Sequence, residues 1–157
     1  MLGLDVSQGL IEVARQQHGS EHTRFLALRE FTPSAQMDAA FCNGVFHHIP
    51  LAERAGAVSF INRALRPGGL FAFWENNPWN PGARLVMRRI PFDRDAITLT
   101  PPGARRLLRD NGFIILGTDF QFIFPNLLGF LRPLERTLAR LPLGAQYQVL
   151  CRKPKSE

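Results

Sequence analysis

Residues 60–75, FINRALRPGGLFAFWE, organise the reading of the whole chain. Ile61 and Leu65 continue an apolar spacing that starts at Leu51 and passes through Ala55 and Val58, close to the helical period. Arg66-Pro67-Gly68-Gly69 stops that helix, because proline has no amide to donate and glycine takes up turn geometry freely. Leu70 to Trp74 then reads as an apolar strand. A helix delivered through a tight turn into an apolar strand is the repeating step of an α/β sheet.

The same alternation extends in both directions. Leu2 to Val6 reads as a short strand, with Ser7 placed to cap a helix through Leu10, Ile11, Val13 and Ala14. Arg24 to Leu28 is a second apolar run, closed by Pro33 and Ser34, and Asp38 to Val45 is a third strand. Downstream, residues 75–100 read as irregular. Pro101 and Pro102 open a helix that Gly112 ends, and Phe113 to Phe122 and Ala145 to Arg152 read as two closing strands. Helical pieces broken at Pro133 and Pro142 lie between them. This pattern predicts one doubly wound α/β domain over residues 1–157, with parallel central strands and an antiparallel edge.

Composition narrows the function. A hydrophobic content of 45% with 20% charged residues fits a globular protein. The formal net charge of +6 comes from arginines scattered along the chain, without the dense basic stripe and interleaved aromatics of a nucleic-acid groove. No nucleic-acid partner is expected. Cys42 and Cys151 lie far apart and form no disulfide framework or zinc ribbon. With no basic-then-apolar N-terminus and no apolar run of about 20 residues, a cytoplasmic setting is the default expectation.

Polar residues cluster where strands end: Asp5, then Asn43 with the histidine pair, then Glu75-Asn76-Asn77. Ligands of open α/β sheets bind beyond those carboxyl ends, and an acid closing a strand before a helix can take ribose hydroxyls. LGLDVSQGLIEVAR, MDAAFCNGVFHHI, FINRALRPGGLFAFWE, PPGARRLLRDNGF and AQYQVLCRKP, taken in this order, resemble the class I S-adenosylmethionine-dependent methyltransferases. They look like that family's second strand and helix, fourth strand, helix-turn-fifth strand, the helix before the sixth strand, and the last strand.

The resemblance implies a Rossmann-like fold and S-adenosylmethionine as cofactor. It implies Asp5 and Val6 at the ribose, and Asn43, Gly44 and Val45 beneath the sulfonium. His48 is then the candidate catalytic base. The implied reaction is methyl transfer to a small-molecule acceptor, with a lipid-linked or bulky apolar one compatible with Phe120, Phe122, Phe124 and Phe130. Trp79 is a candidate substrate wall, and Glu30 a solvated charge rather than an adenine ligand. The family's first strand and glycine-rich loop, which belong at the sheet's centre, have no counterpart before Leu2. The expectation is therefore a truncated, N-terminally incomplete domain, the alternative being a non-catalytic methyltransferase-like fragment that lacks a complete cofactor site. An edge left open there would favour pairing or aggregation.

The adjacent His47 and His48 suggest a metal at first sight. If they continue the strand, their side chains face opposite sides and cannot readily share an ion. No metal is expected on that reading.

Overall fold

The computed structural model describes residues 1–155. Its packing divides the chain into two compact units, Met1–Pro33 and the residues from Ser34 onward.

In the first unit, strands β1 (Leu2–Asp5) and β2 (Arg24–Ala27) pair in parallel, with helix α1 (Gln8–His18) as the crossover. Ser7 caps α1 as its sequence position predicts, its hydroxyl accepting from the Leu10 amide at 3.4 Å. Ile11 and Ala27 are the buried apolar residues here. Gly3 is required by close packing: a Cβ there would fall 2.5 Å from the Phe25 ring. Arg15 of α1 donates from Nε to the Phe25 carbonyl at 2.7 Å, tying helix to strand. Glu30 accepts from the Ala27 amide and pairs with Arg15, so it is a half-exposed structural charge.

The second unit is a four-stranded sheet in the order β3-β4-β6-β5, formed by β3 (Met37–Asn43), β4 (Leu65–Asn76), β6 (Gln146–Arg152) and β5 (Ile114–Gln121). β3 and β4 run parallel, while β6 is antiparallel to both β4 and β5. Helices α2 (Arg54–Ala64) and α4 (Pro101–Asp110) supply Val58, Ala104 and Leu108 to one core with Phe71, Phe73, Tyr147 and Val149. Period-two alternation along β4 buries Phe71, Phe73 and then Glu75, which is only 1% exposed. The carboxylate at the strand's end thus sits on the core face, a placement its polarity alone would not suggest. The Arg66-Pro67-Gly68-Gly69 turn is absorbed into β4 as an irregularity of the β3–β4 register, with Gly68 at φ +79°.

Residues 75–100 are not irregular throughout. Pro81–Arg89 is a helix, α3, with Asn80 as its cap (Oδ1 accepts from the Ala83 amide at 2.9 Å) and proline at its start. Pro91–Asp93 adds a 3-10 turn. Further on, a 3-10 segment over Asn126–Leu134 contains Pro133 rather than breaking there, and leads into the short α5 (Glu135–Leu138). Among the described residues, β1 pairs only with β2, and β3 only with β4.

Candidate functional site

The second unit's site grows from the end of β3. After Asn43 the chain cannot continue as strand, because Gly44 takes φ +65°, a left-handed conformation that favours glycine. Its amide still donates to the Trp74 carbonyl at 3.0 Å, so the turn remains anchored to β4. Phe46–His48 then form a 3-10 turn. Phe46 packs into the core against Phe73, with ring centroids 4.9 Å apart.

Glu75 holds this turn from below. One carboxylate oxygen accepts from the Phe46 amide at 2.7 Å, and the other lies 2.6 Å from His47 Nδ1. A carboxylate can only accept, so Nδ1 carries the proton and Nε2 faces the other way. There it meets Asp93 Oδ1 at 3.4 Å, and His48 Nε2 reaches the same oxygen at 3.2 Å. His47 and Asp93 are buried, whereas the His48 side chain is 36% exposed. Burial lowers the His47 pKa, but the hydrogen bond and charge of Glu75, with the charge of Asp93, outweigh it, and the net direction is up.

Asp93 is held in place through its own segment. The Ile97 amide donates to the His47 carbonyl at 2.9 Å, and buried Arg54 donates from Nη2 to the Ile97 carbonyl and from Nε to that of Ile49 at 3.0 Å. Cys42, near the end of β3, is pushed up to about 12 by burial, with the Glu75 charge adding. It is a small hydrophobe, not a thiolate ligand.

The sequence reading of the histidine pair is corrected here. His47 and His48 do not continue the strand, so strand alternation does not separate them; the 3-10 turn brings both Nε2 atoms to one carboxylate oxygen. Asn43, Gly44, Val45 and His48 do fall together at the carboxyl end of β3. Asp5 and Val6 belong to the first unit, at the carboxyl end of β1. There Asp5 Oδ1 accepts from the Ser7 amide at 2.7 Å, and Val6 is exposed.

Asn77 proves structural: it is fully buried and donates to the carbonyls of Pro142 and Gly144. Trp79 is half exposed. Asp93 was not singled out from sequence, and Glu75 and His47 were noted at strand ends without these partners. The alternation Phe71-x-Phe73-x-Glu75 carried a readable signal for Glu75, and Asn80-Pro81 one for the helix that leads to Asp93.

Parallel strand pairs with helical crossovers, and polar residues at the strand ends, give a Rossmann-like α/β fold. Residues 1–73 match the family described as a methyltransferase domain. Nearly the whole chain superposes on solved S-adenosylmethionine-dependent methyltransferases. One from Thermotoga maritima shares 16% identity at a TM-score of 0.73, over 97% of this chain and 72% of that one. One from Mesorhizobium loti shares 19% at 0.67, over 97% and 79%. The [4+2]-cyclase SpnF superposes too, at 17% identity and 0.68, over 99% and 66%. No curated protein matches the sequence. The first 73 residues thus match the methyltransferase-domain family, and the chain shares the fold of solved S-adenosylmethionine-dependent methyltransferases.

Proposed function

We propose that the chain serves S-adenosylmethionine-dependent methyl transfer to a small-molecule acceptor. The observation that carries this reading is Gly44 at φ +65° closing parallel strand β3, with only His47 Cε1 near the place a side chain would fill, at 3.6 Å. Backbone left bare in this way can approach a bulky cofactor. Asn43 and Val45 flank it, and both are exposed. In the first unit, Asp5 spends one oxygen on the Ser7 amide, and a carboxylate has acceptor capacity beyond that for ribose hydroxyls. Each unit by itself thus offers residues compatible with the cofactor.

The bound cofactor supplies a methyl already activated on a sulfonium, so the protein's part is to bind and orient. His48 is the proposed base for an acceptor that must lose a proton, its side chain being partly open to solvent at the end of β3. Exposed Leu127, Phe130 and Phe122 make a bulky apolar or lipid-linked acceptor chemically reasonable. SpnF shows that the fold alone does not fix the reaction.

A second reading, a non-catalytic methyltransferase-like fragment that lacks a complete cofactor site, is favoured by β1 and β3 each pairing on one side only among the described residues. Calorimetric titration of S-adenosylmethionine into the folded chain separates the two. Micromolar, one-to-one binding supports the enzyme, whereas no binding by folded protein removes the cofactor site and leaves the second reading.

A further inference from the structure

We propose that His47, His48 and Asp93 form a binding site for one divalent transition-metal ion of the zinc class, with Glu75 positioning His47. One donor atom from each of the three residues lies within 4.8 Å of the other two. The two nitrogen-to-oxygen separations, 3.4 and 3.2 Å, match the edge of a tetrahedron whose metal–ligand bonds are about 2.0–2.1 Å, an edge of about 3.3 Å.

The three donor atoms converge on one point. Glu75 fixes the His47 tautomer, leaving the Nε2 lone pair aimed at Asp93. Asp93 Oδ1 is buried and has no hydrogen-bond donor. His48 Nε2 approaches that same oxygen from the solvent side. One ion would meet all three atoms at once, whereas protons would have to sit on both imidazole nitrogens to satisfy the same oxygen.

The donor set also selects the class of ion. Two imidazoles and one carboxylate suit zinc, cobalt or nickel better than magnesium or calcium, which take mostly oxygen ligands. A carboxylate behind a ligating histidine, as Glu75 stands behind His47, is the usual outer-shell arrangement and fixes ring orientation. Three protein ligands leave a fourth tetrahedral position, on the His48 side, for water or a heteroatom of a small molecule. His48 cannot ligate an ion and act as a base at once, so the proposed base role belongs to the ion-free chain.

The site does not rest on the methyl-transfer reading, and its test needs neither cofactor nor acceptor. The chelator-treated, folded chain is titrated with Co(II), followed by visible absorption, and with Zn(II) in competition with a chromophoric chelator. One ion per chain is expected, with the intense d–d bands of tetrahedral Co(II). Asp93→Asn and His48→Gln should each weaken binding at least tenfold, and Glu75→Gln about 10- to 100-fold. Circular dichroism checks each fold; should Asp93→Asn not fold, His48→Gln at its partly exposed position carries the test. No binding by the folded parent chain overturns the proposal. So does binding that survives His48→Gln unchanged, which would point to other histidines such as His18 and His22.

Discussion

His47 Nδ1 lies 2.6 Å from Glu75 Oε2 in a place where neither side chain meets solvent. The same carboxylate takes the Phe46 amide, so one residue at the end of β4 fixes both backbone and side chain of the turn after β3.

Removing that carboxylate leaves a buried amide and a buried imidazole without their acceptor. Glu75→Ala should therefore destabilise the chain by about 3–5 kcal/mol. Glu75→Gln keeps an acceptor for Phe46 and should cost less. Urea denaturation of both variants checks this; a change below about 1 kcal/mol in Glu75→Ala would show that the pair contributes little.

At Gly44 the cost is one of backbone conformation. A side chain there meets only His47 Cε1 at an ordinary contact distance, but φ +65° disfavours any Cβ. Gly44→Ala should lose about 1–2 kcal/mol, and Gly44→Asn less, since asparagine tolerates the left-handed region. Equal losses for the two in thermal melts would implicate packing instead.

Alkaline pH should weaken the fold through Cys151. This thiol is fully buried, its Sγ donates to the Phe71 carbonyl at 3.4 Å, and burial pushes it up to about 12. Above about pH 9 the unfolded chain releases a proton that the folded chain keeps. The unfolded state then binds fewer protons, and stability falls as pH rises toward 12, by about 1.4 kcal/mol per unit for one such thiol. Burial and the Glu75 charge push the Tyr147 phenol up as well, in the same direction. Cys151→Ala should flatten that thiol's share of the slope between pH 9 and 11 and leave those of Cys42 and the phenol.

Cofactor and turnover separate Asp5 from His48. Asp5→Ala should weaken S-adenosylmethionine binding about 10- to 100-fold, the worth of a charge-assisted hydrogen bond. Asp5→Asn keeps an acceptor for the Ser7 amide and so controls for the local turn. His48→Ala should lower turnover more than cofactor affinity. Unchanged affinity in Asp5→Ala would take Asp5 out of the site.

The parallel pairs, the α4 helix and the antiparallel β5–β6 pair were legible because apolar periodicity and Pro/Gly punctuation act locally. Asp93 and Glu75 were not, because their roles come from tertiary neighbours. Asp93 matters only once Arg54 and the Ile97 amide bring residues 93–97 to the turn. The histidine pair misled because Gly44 ends β3 before His47, and a glycine's sign of φ cannot be read from its letter.

The one-sided pairing of β3 has a dynamic consequence. Alternate amides of Met37–Asn43 face away from β4 and, among the described residues, have no strand to donate to, so deuterium should enter them within seconds, while the amides of β4 and β6, paired on both flanks, exchange only when the whole sheet opens. Any chain that came to lie along that edge would slow the fast set and leave the slow set unchanged, which makes β3 a built-in reporter of what binds there.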